Sequence, residues 1–318
     1  MRETPAAAHV PHRPRRPLEL HPRPPFRLDL TVWALRRREQ NQIDTWDGRR
    51  YRRVLLVDDM PVELTVTQTG TASAPRLELA LGAERLTSEI EDSARSTLNR
   101  LLGLDIDLSG FYARAGRDRT LGELAERYRG LKPPRFPTLF ECLLNAVACQ
   151  QLSIAAGLTL LSRLAAAVGQ TVGGLHAFPA PTDVLSLSPL TLRALGFSER
   201  KAETIRELAA AAAGGELELD AFEPLDDATV VAALVKRRGV GPWSADYVLL
   251  RGLGRLHVFP RDDVGALNGL ERFLPAADLG DDPQASLARF VPDAGLVYFH
   301  LLLRGLEQRG LVDPSASS

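Results

Sequence analysis

The residues of this chain that are best suited to chemistry surround a short glycine turn. The turn, Gly239-Val240-Gly241, is followed by Pro242 at a predicted first helical position, where the missing N–H of proline costs nothing. Glycine allows a sharp turn, and backbone N–H groups beside a helix N-terminus bind phosphate. We therefore predict two helices joined by a phosphate-binding hairpin over residues 234–252, with contacts from Arg238, Gly239, Val240 and Gly241.

A pair of aspartates follows this turn. The segment Val258-Phe259-Pro260 leads into Asp262 and Asp263, and a new apolar period then begins, which places the pair in a loop over residues 258–264 at the start of a helix. A helix N-terminus favours an ionised carboxylate. Such a carboxylate can stabilise positive charge that develops on a substrate, or activate water. One aspartate would then be catalytic, and the other would cap the helix.

Two aromatic residues lie between the turn and the aspartates. Trp243 and Tyr247 are four residues apart and therefore share one face of the predicted helix. Such a pair commonly belongs to a protein core. In a pocket, its electron-rich faces would instead attract a cationic group, and contacts of this kind contribute up to about 2 kcal/mol when desolvated.

Together, these segments resemble one known family. Gly-Val-Gly-Pro-Trp-Ser-Ala-Asp-Tyr (239–247) and Phe-Pro-Arg-Asp-Asp (259–263) resemble the helix–hairpin–helix, Gly/Pro-rich, catalytic-Asp superfamily of DNA glycosylases, and within it the 3-methyladenine glycosylase II group. Two upstream turns resemble the same group: Cys-Gln-Gln-Leu-Ser (149–153) and Leu-Gly-x-x-x-x-Lys-Ala (195–202). The resemblance covers residues 26–308.

The resemblance implies an enzyme that flips an alkylated base out of double-stranded DNA and hydrolyses its glycosidic bond. Asp263 would be the catalytic carboxylate, because the family places it second in the pair. Trp243 and Tyr247 would line the base pocket. Gln151 and Leu152 would supply the wedge that fills the gap in the duplex, although a core position is an equal alternative for Leu152. Hairpin backbone carbonyls would hold Na⁺ or K⁺ without side-chain ligands.

The lysines bear on the fate of the abasic site after base release. Related lyases carry a lysine nucleophile two residues after the second hairpin glycine, where this chain has Trp243. The three lysines, Lys132, Lys201 and Lys236, lie before the hairpin or in turns that we expect to be distant. We therefore predict a monofunctional glycosylase. The alternatives are a non-catalytic helix–hairpin–helix protein that binds damaged DNA, which would not need Asp263, and an oxidised-purine glycosylase.

The chain departs from the family near its C-terminus. Family members often carry a Trp-Pro-Trp-Arg segment, whereas residues 290–293 read Phe-Val-Pro-Asp, and Tyr298 and His300 follow on a helix. The pocket is therefore expected to be larger or less aromatic. His300 is expected to be a helix histidine with its hydrogen bonds satisfied, and Asp246 to be structural.

Composition sets the remaining limits. The chain has 318 residues with a net charge of −1, and its positive charge comes almost entirely from arginine, so any DNA contact must be local. Two cysteines, Cys142 and Cys149, cannot supply a four-cysteine iron–sulfur cluster, and no cofactor is expected. No apolar run is as long as a membrane span, and we expect a monomer in the cytoplasm, associated with the nucleoid.

The elements that position these residues predict an α+β fold. Residues 1–25 are rich in proline and arginine and predict a disordered tail, and residues 309–318 predict a second tail. An antiparallel sheet domain with helices and a purely structural role is expected over residues 26–108, followed by an all-α domain over residues 109–308. The predicted elements of the sheet domain are strands at 28–32, 54–57, 62–66 and 77–81 and a helix at 88–102.

Overall fold

The computed structural model describes residues 17–275 and 285–315. It confirms the α+β fold, with an N-terminal antiparallel sheet and its helices followed by a helical region. Among the described residues, no helix combines the length and the apolar character needed to cross a membrane.

The sheet has five antiparallel strands in the order β1-β5-β4-β3-β2. Alternate residues of β4, such as Val62, Leu64 and Val66, are buried because successive side chains point to opposite faces. The predicted strands at 54–57, 62–66 and 77–81 are confirmed within β3, β4 and β5. The strands are β1 (Leu18–Leu20), β2 (Thr45–Trp46), β3 (Arg50–Val57), β4 (Met60–Gln68) and β5 (Leu77–Gly82), with β6 (Thr171–Val172) and β7 (Leu175–His176) forming a separate pair.

Helices make up most of the remaining structure, and side-chain caps define where many of them begin. Ser153 accepts a hydrogen bond from the N–H of Ala156, and Ser198 accepts one from the N–H of Lys201. The helices are α1 (Leu28–Arg36), α2 (Ser88–Leu102), α3 (Ser109–Ala115), α4 (Arg119–Arg127), α5 (Leu139–Cys149), α6 (Ile154–Val168), α7 (Pro181–Ser186), α8 (Pro189–Ala194), α9 (Glu199–Ala213), α10 (Leu219–Phe222), α11 (Asp227–Leu234), α12 (Pro242–Arg251), α13 (Val264–Phe273) and α14 (Ala294–Glu307).

The strand predicted at residues 28–32 is wrong, because these residues form the start of α1. Leu28 and Val32 pack into the core of the sheet domain, whereas Leu30 packs into a core built mainly from C-terminal helices. The apolar residues therefore alternate because the helix is buried on two sides, which imitates the period of a strand. The helix ends at Arg36, and Arg37 caps its C-terminus with a left-handed φ of 55° and an N–H that bonds to Trp33 O.

Both predicted tails are partly ordered. Within the predicted N-terminal tail of residues 1–25, β1 pairs with β5, and residues 1–16 lie outside the described residues. Within the predicted C-terminal tail, Val312 is buried against the C-terminal helices, and Pro314 O accepts a hydrogen bond from Arg27. Pairing and burial supply these segments with contacts that their composition does not reveal.

The region predicted as one helical domain contains two hydrophobic cores. One core joins α5 and α6 to α9, α11 and α12. The other joins α1, α3 and α4 to α13 and α14. Because α12 contributes to both, with Leu249 in the first and Leu250 in the second, the hairpin helix links the two halves.

A buried charge cluster joins the sheet to α5. Arg53 on β3 donates to Asp44 at 2.7 Å and to Glu141 on α5, and Tyr51 donates to Asp44 at 2.7 Å. Thr138 caps α5 by accepting from the N–H of Glu141. The Glu141 carboxylate instead reaches across the interface, so it ties the two domains together.

Candidate active site

A cleft of about 780 Å³ lies where the hairpin, the turn between α5 and α6 and the aspartate loop meet. It brings together eight of the nine residues predicted for the site, although they are spread over more than a hundred positions of the chain. These eight are Gln151, Leu152, Gly239, Val240, Gly241, Trp243, Tyr247 and Asp263.

The hairpin joins α11 to α12 and needs glycine at its first position. Gly239 has a φ of 74°, and a Cβ there would lie 2.3 Å from Thr204 Oγ1. Gly241 has an extended backbone and open space where its Cβ would be. Val240 N–H bonds to Arg237 O, whereas the N–H groups of Gly241 and Trp243 have no acceptor among the described residues. The latter two amides are available to an anion at the start of α12.

Arg238 is the predicted site residue that does not line the cleft. Its guanidinium forms ion pairs with Glu203 at 2.5 Å and Glu207 at 3.5 Å, both on α9. A role for Arg238 at the hairpin would therefore use its backbone.

The turn after α5 is tied to the hairpin by side chains. Gln150 Nε2 donates to Gly239 O and to Ser244 Oγ, each at 2.9 Å. Lys201 Nζ in turn donates to Ala148 O at 2.9 Å and Gln150 O at 2.8 Å. These four bonds fix the turn after α5, residues 150–153, in its position relative to the hairpin.

Lys201 also corrects an expectation, because it lines the cleft and does not belong to a distant turn. Burial lowers the pKa of its ammonium group. However, both recorded hydrogen bonds use the amine as a donor to backbone carbonyls, and an amine held in this way is not free to attack a sugar.

The wedge candidates project from the surface. Gln151 is exposed with a left-handed φ of 56°, and Leu152 retains 45% of its accessible surface. Leu152 is therefore not a core residue. Ile154 beside it and Val264 across the cleft are also exposed apolar residues that line the cleft, which gives the opening an apolar rim.

Asp263 is held by two neutral donors. Its Oδ1 accepts from Ala266 N–H at 2.9 Å and caps α13, and its Oδ2 accepts from Trp243 Nε1 at 3.2 Å. No described arginine or lysine forms an ion pair with it. The carboxylate is thus fixed in position at the cleft without a neutralising cation.

The expectation that Asp262 caps this helix is wrong, because Asp263 is the cap. Asp262 precedes it with a left-handed φ of 57°. A cap residue must have an extended backbone so that its side chain can reach the first turn, and only Asp263 meets that condition, with φ −73° and ψ 92°.

The aromatic pair forms one wall of the cleft. The ring centroids of Trp243 and Tyr247 are 5.4 Å apart and tilted by 30°. Tyr298 on α14 joins them, and it is the aromatic residue that follows the segment departing from the family pattern. Burial and the charge of Asp263 raise the pKa of Tyr298 well above its usual value, so its phenol is protonated.

Behind Tyr247 lies Arg37, a cleft residue that sequence reasoning missed. Its Nη1 donates to Tyr247 Oη at 2.9 Å, and its Nη2 donates to Asn145 Oδ1 at 2.6 Å. The N-terminal region, for which a purely structural role is expected, thus contributes a side chain to the cleft. The strand misassigned at residues 28–32 concealed this contact, since only a helix ending at Arg36 brings the next side chain to the cleft.

Residues assigned structural roles lie elsewhere. Asp246 forms an ion pair with Arg261 at 2.6 Å. His300 is buried, and its Nδ1 bonds to Leu296 O at 2.7 Å, but its Nε2 has no partner among the described residues, so it is only half satisfied. Cys142 is buried, and Cys149 lines the cleft. Among the described residues, no cluster of three or more His, Cys, Asp or Glu side chains could hold a metal ion.

Two families of known proteins match this chain in sequence. Residues 144–289 match the HhH-GPD superfamily base excision DNA repair protein, and residues 17–137 match the AlkA N-terminal domain. The gap between the matches, residues 138–143, lies at the start of α5 and includes Glu141 of the interface with Arg53.

Individual relatives agree with these matches. The DNA-3-methyladenine glycosylase of Bacillus subtilis (strain 168) is 33% identical over 172 residues, which are 53% of this chain and 57% of that protein. DNA-3-methyladenine glycosylase 2 of Escherichia coli (strain K12) is 26% identical over 246 residues, which are 76% of this chain and 82% of that protein. Where identity exceeds 30%, the chain spans 35% to 57% of the length of its curated relatives.

A solved structure extends the similarity to the whole fold. The 3-methyladenine DNA-glycosylase from Archaeoglobus fulgidus superimposes with a TM-score of 0.79 at 23% identity, over 93% of this chain and 100% of that chain. At this level of identity, the superposition shows a common fold.

Proposed function

We propose that the chain is a member of the HhH-GPD superfamily of base excision DNA repair proteins, and that it is a monofunctional DNA glycosylase that removes alkylated bases. The observation that carries the proposal is the position of Asp263. Its carboxylate lies in a cleft with an aromatic wall, is bonded to Trp243 at the start of α12, and lacks a cation partner among the described residues.

The proposed partner is double-stranded DNA that contains a damaged base. The free amides of Gly241 and Trp243 would bind a phosphate, which positions the duplex without reading its sequence. Leu152 and Gln151 would enter the stack where the flipped nucleotide leaves it. The proposal places a monomeric enzyme on chromosomal DNA in the cytoplasm.

A monovalent cation at the hairpin belongs to this proposal. Of the four carbonyls from Arg238 to Gly241, that of Gly239 accepts from Gln150 and that of Gly241 accepts from Ala245 N–H. The carbonyls of Arg238 and Val240 have no donor among the described residues. They suit Na⁺ or K⁺, whose positive charge would attract a DNA phosphate.

In the proposed reaction, Asp263 acts on the sugar of the flipped nucleotide. As the glycosidic bond lengthens, positive charge builds on the sugar, and a fixed carboxylate stabilises it more than it stabilises the ground state. The same carboxylate can accept a proton from the attacking water. Since the Lys201 amine donates to two carbonyls, no lysine of the cleft is placed to form a Schiff base, and an intact abasic site is the expected product.

The test compares Asp263→Asn with wild-type protein. Asparagine retains an oxygen for the cap of α13 but removes the negative charge, so base release should fall at least about a hundredfold. Binding to the duplex should stay equal or improve, because a carboxylate near phosphates repels them. Release and binding are measured on duplexes carrying 3-methyladenine, 7-methylguanine, ethenoadenine or hypoxanthine.

Asp262→Asn is the matched control, since it removes the same charge one residue away and asparagine tolerates a left-handed backbone. It should retain base release. Wild-type-like release by the Asp263 variant would refute the catalytic assignment. Binding of damaged DNA without any release by the wild type would favour the non-catalytic alternative. Strand scission without alkali, together with borohydride trapping that is lost in Lys201→Met, would refute the monofunctional assignment.

A further inference from the structure

We propose that Arg37 makes the base pocket prefer damaged bases that are electrically neutral and present a hydrogen-bond acceptor, over cationic alkylated bases. The inference rests on the proposed function, because it names the substrate class of the same cleft. It assigns a specificity-determining residue to the sheet domain.

The first support is the hydrogen-bonding capacity left on Arg37. A guanidinium carries five N–H donors. Nε donates to Leu35 O at 3.3 Å, Nη1 to Tyr247 Oη at 2.9 Å and Nη2 to Asn145 Oδ1 at 2.6 Å. Each terminal nitrogen therefore keeps one N–H without an acceptor among the described residues, in a side chain that lines the cleft.

The second support is the charge of Arg37. The side chain is buried, with 4% of its surface exposed, and its three recorded acceptors are neutral groups. No described carboxylate forms an ion pair with it; Asp263, which lines the same cleft, bonds to neutral donors instead. Charges interact more strongly where protein replaces water, so this guanidinium acts on a base in the pocket with little screening.

A second buried guanidinium reinforces the first. Arg251 is fully buried beneath the aromatic wall, 5.8 Å from the ring centroid of Tyr247, and it has no ion pair among the described residues. Its Nη2 donates to Ala34 O at 2.9 Å. Tyr247 is thus flanked by two cations, and its electron-rich ring already attracts one of them.

These contacts decide between two opposing effects. An aromatic face attracts a cationic base with up to about 2 kcal/mol. Two unpaired guanidinium groups in a region of low dielectric constant repel that same base, and each carries a full charge. The Asp263 carboxylate in the same cleft also attracts a cationic base. The two guanidinium groups outnumber this one carboxylate, so repulsion should exceed attraction and the pocket should disfavour a cationic base.

A neutral base is not repelled by the guanidinium groups and can form hydrogen bonds with Arg37. Its carbonyl oxygen or ring nitrogen can accept the two remaining N–H groups of Arg37. When its glycosidic bond breaks, both bonding electrons pass to the base, and the guanidinium stabilises the developing negative charge. Water oxygen forms the new bond to the sugar, the water proton passes to Asp263 and then to solvent, and the base takes a proton from solvent.

The experiment compares ethenoadenine, a neutral base, with 7-methylguanine, a cationic one. Release is measured on each duplex, and equilibrium binding is measured on counterparts with a 2′-fluoro sugar, which blocks release. The variants are Arg37→Gln, which removes the charge, and Arg37→Lys, which keeps the charge but loses the planar fork. Arg38→Gln, at the neighbouring position outside the cleft lining, is the matched control.

A variant that retains Arg37 guards against misfolding. Asn145→Asp replaces a neutral acceptor with a carboxylate of nearly the same shape, so it pairs the guanidinium without removing it. Circular dichroism and thermal melting establish which variants are folded.

We expect Arg37→Gln to lower the preference for ethenoadenine over 7-methylguanine about tenfold or more, in both release and binding. Asn145→Asp should shift this preference in the same direction. Arg37→Lys should weaken the release and binding of ethenoadenine without improving those of 7-methylguanine. Arg38→Gln should change the release and binding of neither base.

An unchanged preference in Arg37→Gln and Asn145→Asp, with release intact, overturns this inference and leaves the proposed function standing. Conversely, the wild-type protein could release neither base while the variants shift the binding preference as described. That result overturns the proposed function alone. If Arg37→Gln does not fold, the base preference of Asn145→Asp decides whether the inference stands.

Discussion

Two arginines of the sheet domain reach α5 about one helical turn apart, and their surroundings differ. Arg53 meets two carboxylates, Asp44 and Glu141, and all three side chains are buried. Arg37 meets Asn145, the phenol of Tyr247 and a backbone carbonyl, which are all neutral. The first guanidinium is compensated within the interface, whereas the second keeps its charge available to the cleft.

The difference between the surroundings of Arg53 and Arg37 distinguishes a domain interface from a ligand-binding cleft. A compensated charge cluster holds two domains in register and leaves little field outside itself. In the cleft, both Arg37 and Asp263 are positioned by neutral groups, so each retains its full charge for a ligand. Enzymes use such preorganised charges because they need not reorganise during the reaction.

The largest expected effect comes from breaking the compensated cluster. Arg53→Met would leave two carboxylates buried without their cation, so the free energy of unfolding should fall by about 3–5 kcal/mol. Urea denaturation measures it. Arg37→Met leaves no carboxylate behind and should cost less, about 1–3 kcal/mol for its buried acceptors. Equal losses would contradict the distinction between the two arginines.

His300 shows the cost of a buried charge without a counter-ion in a group that can lose its proton. Burial lowers the pKa of its imidazole from 6.5 to about 4, so the folded protein holds it neutral. Between these values the unfolded chain binds the proton and the folded chain does not. Stability is therefore present above pH 6.5 and is lost as the pH falls towards 4, by about 3 kcal/mol from this residue.

The pH dependence is checked by comparing the unfolding free energies of the wild type and His300→Gln across that range. Their difference should shrink steadily as the pH falls from 6.5 to 4. A difference that does not vary with pH would show that His300 is protonated in the folded protein.

The smallest effect concerns the cap made by Asp263. Asp263→Ala should lower the free energy of unfolding by about 1 kcal/mol, because the N–H of Ala266 loses its acceptor. Asp263→Asn should lower the free energy of unfolding by only about a few tenths of a kcal/mol, since asparagine also caps helices. A loss of several kcal/mol in the asparagine variant would mean that the carboxylate has a compensating cation, as Arg53 has its carboxylates.

Much of the site follows from local rules that the sequence expresses directly. A left-handed turn at Gly239, a proline at the start of α12 and helical spacing of Trp243 and Tyr247 are determined by neighbouring residues. Their positions in the structure agree with the prediction. The caps of α5, α6 and α9 were predictable for the same reason, because a cap side chain and the backbone N–H that donates to it are three residues apart.

Within the aspartate loop, local rules were insufficient. Asp262 and Asp263 are chemically identical neighbours, and the sequence pattern permits either to cap α13. The backbone conformation of the whole loop decides between them, and that conformation depends on what the loop packs against, including the indole of Trp243.

By itself, the sequence determined the hairpin, the helix that carries the aromatic pair and the carboxylate beside them, because each depends on residues within a few positions of one another. Only the tertiary structure decided that residues 28–36 form a helix and that Arg37 reaches Tyr247, 210 positions along the chain. Burial on two sides gave that helix the alternation of a strand. A contact between residues so far apart has no signature in local sequence, because it arises only when the two domains pack together.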